Sequence, residues 1–179
     1  MFWNGQKIVD LSRAFLDTSG CSKYQKARIA HLQEVNSNSI EFNEDNFYKI
    51  LAEKNTASQK GLVEMFDSTV GATTVALPFG GKYQTTETEG CVQTLPILNA
   101  ENIETVSYAS WGFDAEISKQ NSMVGASLAV VESVAKIVAM GGNFRNVRLS
   151  FQEYFEKLGD NPEKWGKPLA SLLGAYDAQ

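Results

Sequence analysis

Apolar and polar positions follow several distinct rhythms along this chain. Residues 121–140, NSMVGASLAVVESVAKIVAM, are apolar nearly all round at helical spacing and run into Gly141-Gly142. They predict one long, largely buried helix closed by a left-handed glycine. Asn43 precedes a segment with Phe47, Ile50 and Leu51 on one face, which predicts a capped helix to about Glu53. Thr56 or Ser58 opens a second short helix carrying Leu62, Val63 and Phe66. Strands are expected at 73–77, which is β-branched, apolar and ended by Pro78, and at 92–97 and 146–150. Residues 104–113, with Val106, Tyr108 and Trp111, read as a strand by residue type. FQEYFEKLG at 151–159 reads as a helix, NPEKWGKP as a turn, and 167–175 as the last helix. Near the start, Asn4-Gly5 between Phe2-Trp3 and Lys7-Ile8-Val9 suits a type I′ hairpin, because both central positions need positive φ. Residues 20–42 are polar and mixed, and read as linker or irregular structure. The element order implies an α/β protein of the α+β kind, a mixed sheet packed by helices.

Composition narrows the classes. The 179 residues suffice for one ordinary domain with its own core. A net charge of -5 argues against a nucleic-acid partner, which needs clustered Lys and Arg. The apolar run at 123–140 contains Glu132 and Lys136, and two opposite charges argue against a membrane span. Two cysteines, Cys21 and Cys91, and a single histidine, His31, are too few for a structural zinc site. His31 lacks an evident catalytic partner and reads as a surface residue. The N-terminus has no basic-then-apolar signal pattern, so a reduced, cytoplasmic protein is expected.

Three constellations carry possible chemistry. FDSTVGATTVALPFGGKYQ, residues 66–84, resembles a phosphate loop in composition, but Lys82 is followed by Tyr83 where such a loop needs Ser or Thr. A strand entered by a tight DSTVG turn and left by a Gly-Gly turn is favoured; Asp67, Thr69 and Gly71 are candidates to reach a ligand, and turn capping is the plain alternative. Glu132 and Lys136 stand four apart on one helix face, either as a solvated pair or at the edge of a cleft. Glu87 and Glu89 lie in a hydroxyl-rich loop, where two acids can serve Mg²⁺ but are more often solvated.

Taken together, FDSTVGATTVALPFGGKYQ and AVVESVAKIVAMGGNFRNVRLSFQEYFEKLGDNPEKWGKPLASLLGA resemble phosphoribosylformylglycinamidine synthase, the glutamine-dependent ligase of purine biosynthesis in its long single-chain form. The likeness runs from about Lys60 to the end of the chain. It implies an excised piece of a larger enzyme: the N-terminal domain of the second aminoimidazole-ribonucleotide-synthetase-like unit at 56–179, preceded by the tail of another domain and a linker at 1–55. The family's Gly-Lys-Asp-Ser loop and its glutaminase nucleophile have no counterpart here, so the fragment is expected to be inactive alone. Its implied partners are the remaining domains of the enzyme, glutaminase included. The implied sheet is completed by a sister domain, or by a homodimer mate in its absence. The resemblance also implies an auxiliary ATP or ADP site with Mg²⁺, contacted by Lys60, Glu89, Glu132 and position 136, with Glu89 and Glu132 as metal ligands. Lys136 departs from the family's Asn or Asp. A lysine has three donors and no acceptor, so it cannot ligate Mg²⁺. Its ammonium is expected to stand as a counter-ion to Glu132, leaving no tight Mg²⁺–nucleotide in this chain. The other reading is a non-catalytic interaction module with a degenerate nucleotide site.

Overall fold

The computed structural model describes residues 1–17, 24–30, 32–36, 40–54, 56–65, 69, 73–98 and 103–179. Asn4 and Gly5 take φ of 46° and 78°, and turn β1 (Phe2–Trp3) back on β2 (Gln6–Lys7) as the Asn-Gly pair predicts. A one-turn helix, α1 (Arg13–Asp17), follows. Helix α2 (Glu44–Ala52) starts where Asn43 accepts from the Asn46 N–H at 2.9 Å, and α3 (Lys60–Met65) comes next.

The central sheet has the order β3-β6-β7 and is antiparallel throughout. It comprises β3 (Thr74–Ala76), β6 (Gly90–Thr94) and β7 (Val106–Ser110). Between β3 and β6 the chain makes a small hairpin, β4 (Phe79–Gly80) with β5 (Thr86–Glu87). Gly81, at φ 80°, and Gln84, at φ 51°, form its turn, so the Gly-Gly pair closes a hairpin, as the turn reading holds. β6 and β7 pair in unbroken register from Gly90↔Ser110 to Thr94↔Val106, whereas the β3–β6 register shifts between Thr74 and Ala76.

Helix α4 (Ala115–Gln120) leads through Asn121 into α5 (Ser122–Ala139). Asn121 is buried, and both ends of its side-chain amide are hydrogen-bonded. Its Oδ1 accepts from Met123 and Val124 at 3.1 Å each, and its Nδ2 donates to the Gln33 carbonyl at 2.9 Å. By length and composition alone α5 could cross a membrane, with a mean hydropathy of 1.6. Here it packs against β7, α4 and the last helix, α6 (Pro162–Ala178), but only Gly125, Val130 and Ile137 are buried, so the helix is not largely buried as its apolar pattern predicts: its outer side has no element against it among the described residues. Bare glycine backbone permits these approaches. A Cβ on Gly174 would meet the Met123 carbonyl, and one on Gly112 would meet the Ala129 carbonyl. Ser127 Oγ donates to the Gly174 carbonyl at 2.8 Å and Ser110 Oγ to the Ser133 carbonyl at 2.7 Å. Among the described residues the buried apolar core is small: Phe79, Val92, Val130, Ile137, Ala170 and Ala175.

The described part of 20–42 has no regular element, yet it is tied to the helices. The Arg28 N–H donates to the Pro162 carbonyl at 2.8 Å, and the Asn36 N–H to Gln120 Oε1 at 3.0 Å. The structure corrects three expectations near the C-terminus. Residues 147–150 form no strand; a short 3₁₀ turn, Phe144–Asn146, precedes them and no strand pairs with them. Residues 151–159 are not helical. The last helix begins at Pro162, inside the stretch read as a turn, because Asn161 Oδ1 caps Glu163 and Lys164 and Pro162 needs no amide partner at a first-turn position. The expected strands at 92–97 and 104–113 are shorter, 90–94 and 106–110.

Candidate functional site

Among the described residues, a closely knit group of charges forms on the flank of α5. Lys136 Nζ lies 2.7 Å from Glu132 Oε1, one turn earlier on the same helix. It also lies 3.0 Å from Glu89 Oε2, just before β6, and 5.3 Å from the centroid of the Trp111 ring. The other Glu132 oxygen accepts from the Phe113 N–H at 3.1 Å. The Lys136 side chain is 16% exposed, against 41% for Glu132 and 58% for Glu89. The ammonium is therefore sunk between two carboxylates whose outer edges remain in water.

Local structure explains how three distant segments meet here. The Ser110 hydroxyl fastens the end of β7 to the α5 backbone. Gly112 then lets residues 111–113 run against the helix, which sets Trp111 beside Lys136 and the Phe113 amide at Glu132. On the other side, β6 begins at Gly90 opposite Ser110, so the register of β6 with β7 carries Glu89 to the same end of the sheet.

Burial works against the Lys136 charge, but hydrogen bonds and charges from Glu132 and then Glu89 outweigh it, and its pKa is held above the ordinary 10.5. Such a lysine is a fixed cation. It is neither a nucleophile nor a base near neutral pH, since those roles need a depressed pKa. The group can therefore hold charge and position segments; it cannot by itself carry out a covalent step.

No family model, curated protein or solved structure matches this chain.

Of the residues singled out from sequence, Glu89, Glu132 and Lys136 come together. Lys60 stands apart from them. On α3 its Nζ is 3.7 Å from Glu64 Oε1 and 5.9 Å from the Phe79 ring centroid, in a small hollow with Val63, Pro78 and Gln84. It flanks the same hairpin, since Phe79 pairs with Glu87, two residues before Glu89. Thr69 is exposed. Asp67 and Gly71 lie outside the described residues, as do Cys21 and His31. The sequence reading missed Trp111 as part of the site, having placed it in a strand; a Trp-Gly-Phe step directly after a strand was the available signal.

A magnesium ion does not fit this arrangement. Mg²⁺ demands near-octahedral oxygen ligands at about 2.0–2.1 Å. Here the point on which the two carboxylates converge is a nitrogen of the chain itself. Among the described residues no group of three or more His, Cys, Asp or Glu side chains could hold a metal.

A larger cavity, about 1390 Å³, adjoins the cluster through Trp111, Gly112 and Phe113 and extends between β7, α5, α6 and residues 147–156. Ala109, Ala126, Ala129, Ser133, Ser171 and Ala175 line its inner wall. Glu153 stands at its edge with its carboxyl pushed above the usual range by burial. Lys119 and Lys167, also on its wall, are paired with Glu116 and Glu156. Lys60, Glu89, Glu132 and Lys136 are not among the residues that line it.

Proposed function

We propose that this chain is part of a phosphoribosylformylglycinamidine synthase, the ATP- and glutamine-dependent ligase that converts formylglycinamide ribonucleotide to formylglycinamidine ribonucleotide. In that reaction the amide oxygen is activated by phosphorylation and displaced by ammonia, which gives the amidine. The chain supplies a framework resembling the N-terminal domain of a synthetase-like unit, and its sheet is completed by a sister domain or a second copy. One observation supports this reading above the others. Glu89 and Glu132, which the resemblance assigns to a single cation, lie far apart in sequence and meet at one point. The mixed α+β organisation is compatible with it. In this reading the protein works in the cytoplasm with the remaining domains of the enzyme, including a glutaminase. No residue in the cluster carries out a chemical step, so the isolated chain is inactive.

A second reading, a non-catalytic interaction module with a degenerate nucleotide site, is favoured by the ammonium at the centre of the cluster. A genetic experiment separates the two. Deleting the coding segment in the source organism should abolish growth without purines, and added adenine or hypoxanthine should restore it. Growth of the deletion strain at the parental rate in purine-free medium would reject the ligase reading and leave the module.

A further inference from the structure

We propose that Glu89, Glu132 and Trp111 form a cation site that the chain fills with its own Lys136 ammonium, and that removing this ammonium turns it into a site for divalent cations. The inference rests on the geometry of the cluster and stands whether or not the ligase reading holds.

Two carboxylates from separate segments, brought to one point, repel each other unless a cation stands between them. The structure supplies that cation from within. Two directions around Lys136 Nζ are taken by Glu132 at 2.7 Å and Glu89 at 3.0 Å, and a third faces the electron-rich Trp111 ring. An ammonium has three donors; the two carboxylates occupy two of them, and the Trp111 ring lies on a further side. The Trp111 face is suited to an ammonium and offers nothing to Mg²⁺, which requires oxygen ligands. The tether matters as well. Lys136 and Glu132 share a helix face, so the cation is always present at high local concentration, and a free ion must displace it while shedding its own water. The clamp that joins α5, the start of β6 and residues 111–113 is therefore independent of divalent ions.

Trp111 offers a direct readout. Terbium(III) binds oxygen ligands as calcium does, and emits when a nearby indole transfers excitation energy. Wild-type protein should show no saturable, indole-sensitised terbium emission that depends on Glu89. Lys136→Met should gain such emission, competed by Mn²⁺ and Ca²⁺, with dissociation constants for those ions of about 10⁻⁴–10⁻³ M, the range of weak carboxylate sites. Adding Glu132→Gln or Trp111→Phe to that variant should remove the signal, and Lys136→Arg should leave the site closed. A folded Lys136→Met protein that gains no binding overturns the proposal. If Lys136→Met fails to fold, wild type against Glu89→Gln still decides. Mn²⁺ uptake by wild type that Glu89→Gln abolishes would show that the ammonium does not close the site, and absence of such uptake is the result expected.

Discussion

Lys136 joins two carboxylates and an indole at one point. Its side chain is mostly covered, and burial alone would favour the neutral amine. Glu132 and Glu89 reverse that preference, so its folded pKa lies above the unfolded value near 10.5. A lysine with a raised folded pKa adds stability that is complete below the unfolded pKa and is lost as pH rises through the folded one. Lys136→Met should therefore cost about 1–2 kcal/mol near neutral pH, since its partners are half in water. In urea denaturation, the gap between wild type and variant should stay level up to about pH 9 and shrink above 10.5. A gap that holds constant through strongly alkaline pH would mean that the charge of Lys136 is not what stabilises the fold. The Glu132–Lys136 pair was legible because four-residue spacing puts both side chains on one helix face. Glu89 arrives through the β6–β7 register and Trp111 through the close approach at Gly112, and neither leaves a periodic trace.

Among the elements, those with strong local signals formed as their residues dictate. The Asn-Gly hairpin and the Asn43-capped α2 need only a few neighbouring residues to specify them. Residues 147–159 show the opposite. Phe151, Tyr154 and Phe155 fall at helical spacing, yet a segment this short does not hold a helix in water without a packed face. Here competing bonds claim its polar groups. Trp165 Nε1 donates to the Gly159 carbonyl at 2.8 Å, Lys164 Nζ to the Lys157 carbonyl at 3.3 Å, and Lys167 pairs with Glu156 at 2.6 Å. These partners all lie on α6, whose own start was hidden by Gly166 and Pro168, two poor helix residues. Helix α5 begins at Asn121, and its cap makes a prediction at this scale. Asn121→Ala should lower stability by about 1–2 kcal/mol, through the lost cap and the unpaired Gln33 carbonyl. Asn121→Asp keeps the acceptor but not the donor, and should fall between. Thermal unfolding that ranks alanine level with wild type would mean that the cap contributes nothing.

The whole molecule exposes 14907 Å². A compact monomer of 19.7 kDa exposes about 8600 Å². Much of the exposed surface is apolar and ordered into stripes. Val124, Leu128, Val131 and Val138 follow one line along α5, and Leu169, Leu172, Leu173 and Tyr176 another along α6. Contiguous apolar faces of this kind mark surfaces that meet a partner. Sedimentation equilibrium should therefore find the isolated chain self-associated, as a two-fold dimer at micromolar concentrations. Val131→Glu on the open line of α5 should weaken that association while sparing the fold. A clean monomer at every concentration tested would mean that these apolar lines do not join copies of the chain.

The same α5 poses a problem of sorting before folding is complete. While the chain is being synthesised, this helix leaves the ribosome ahead of α6 as eighteen residues greasy enough to be mistaken for a lipid-crossing segment. One charged side chain at mid-bilayer raises the insertion cost by about 2.5–3.5 kcal/mol. Glu132 and Lys136, placed near the middle and in the second half of the helix, thus raise the cost of misplacing the nascent segment before its packing partners arrive.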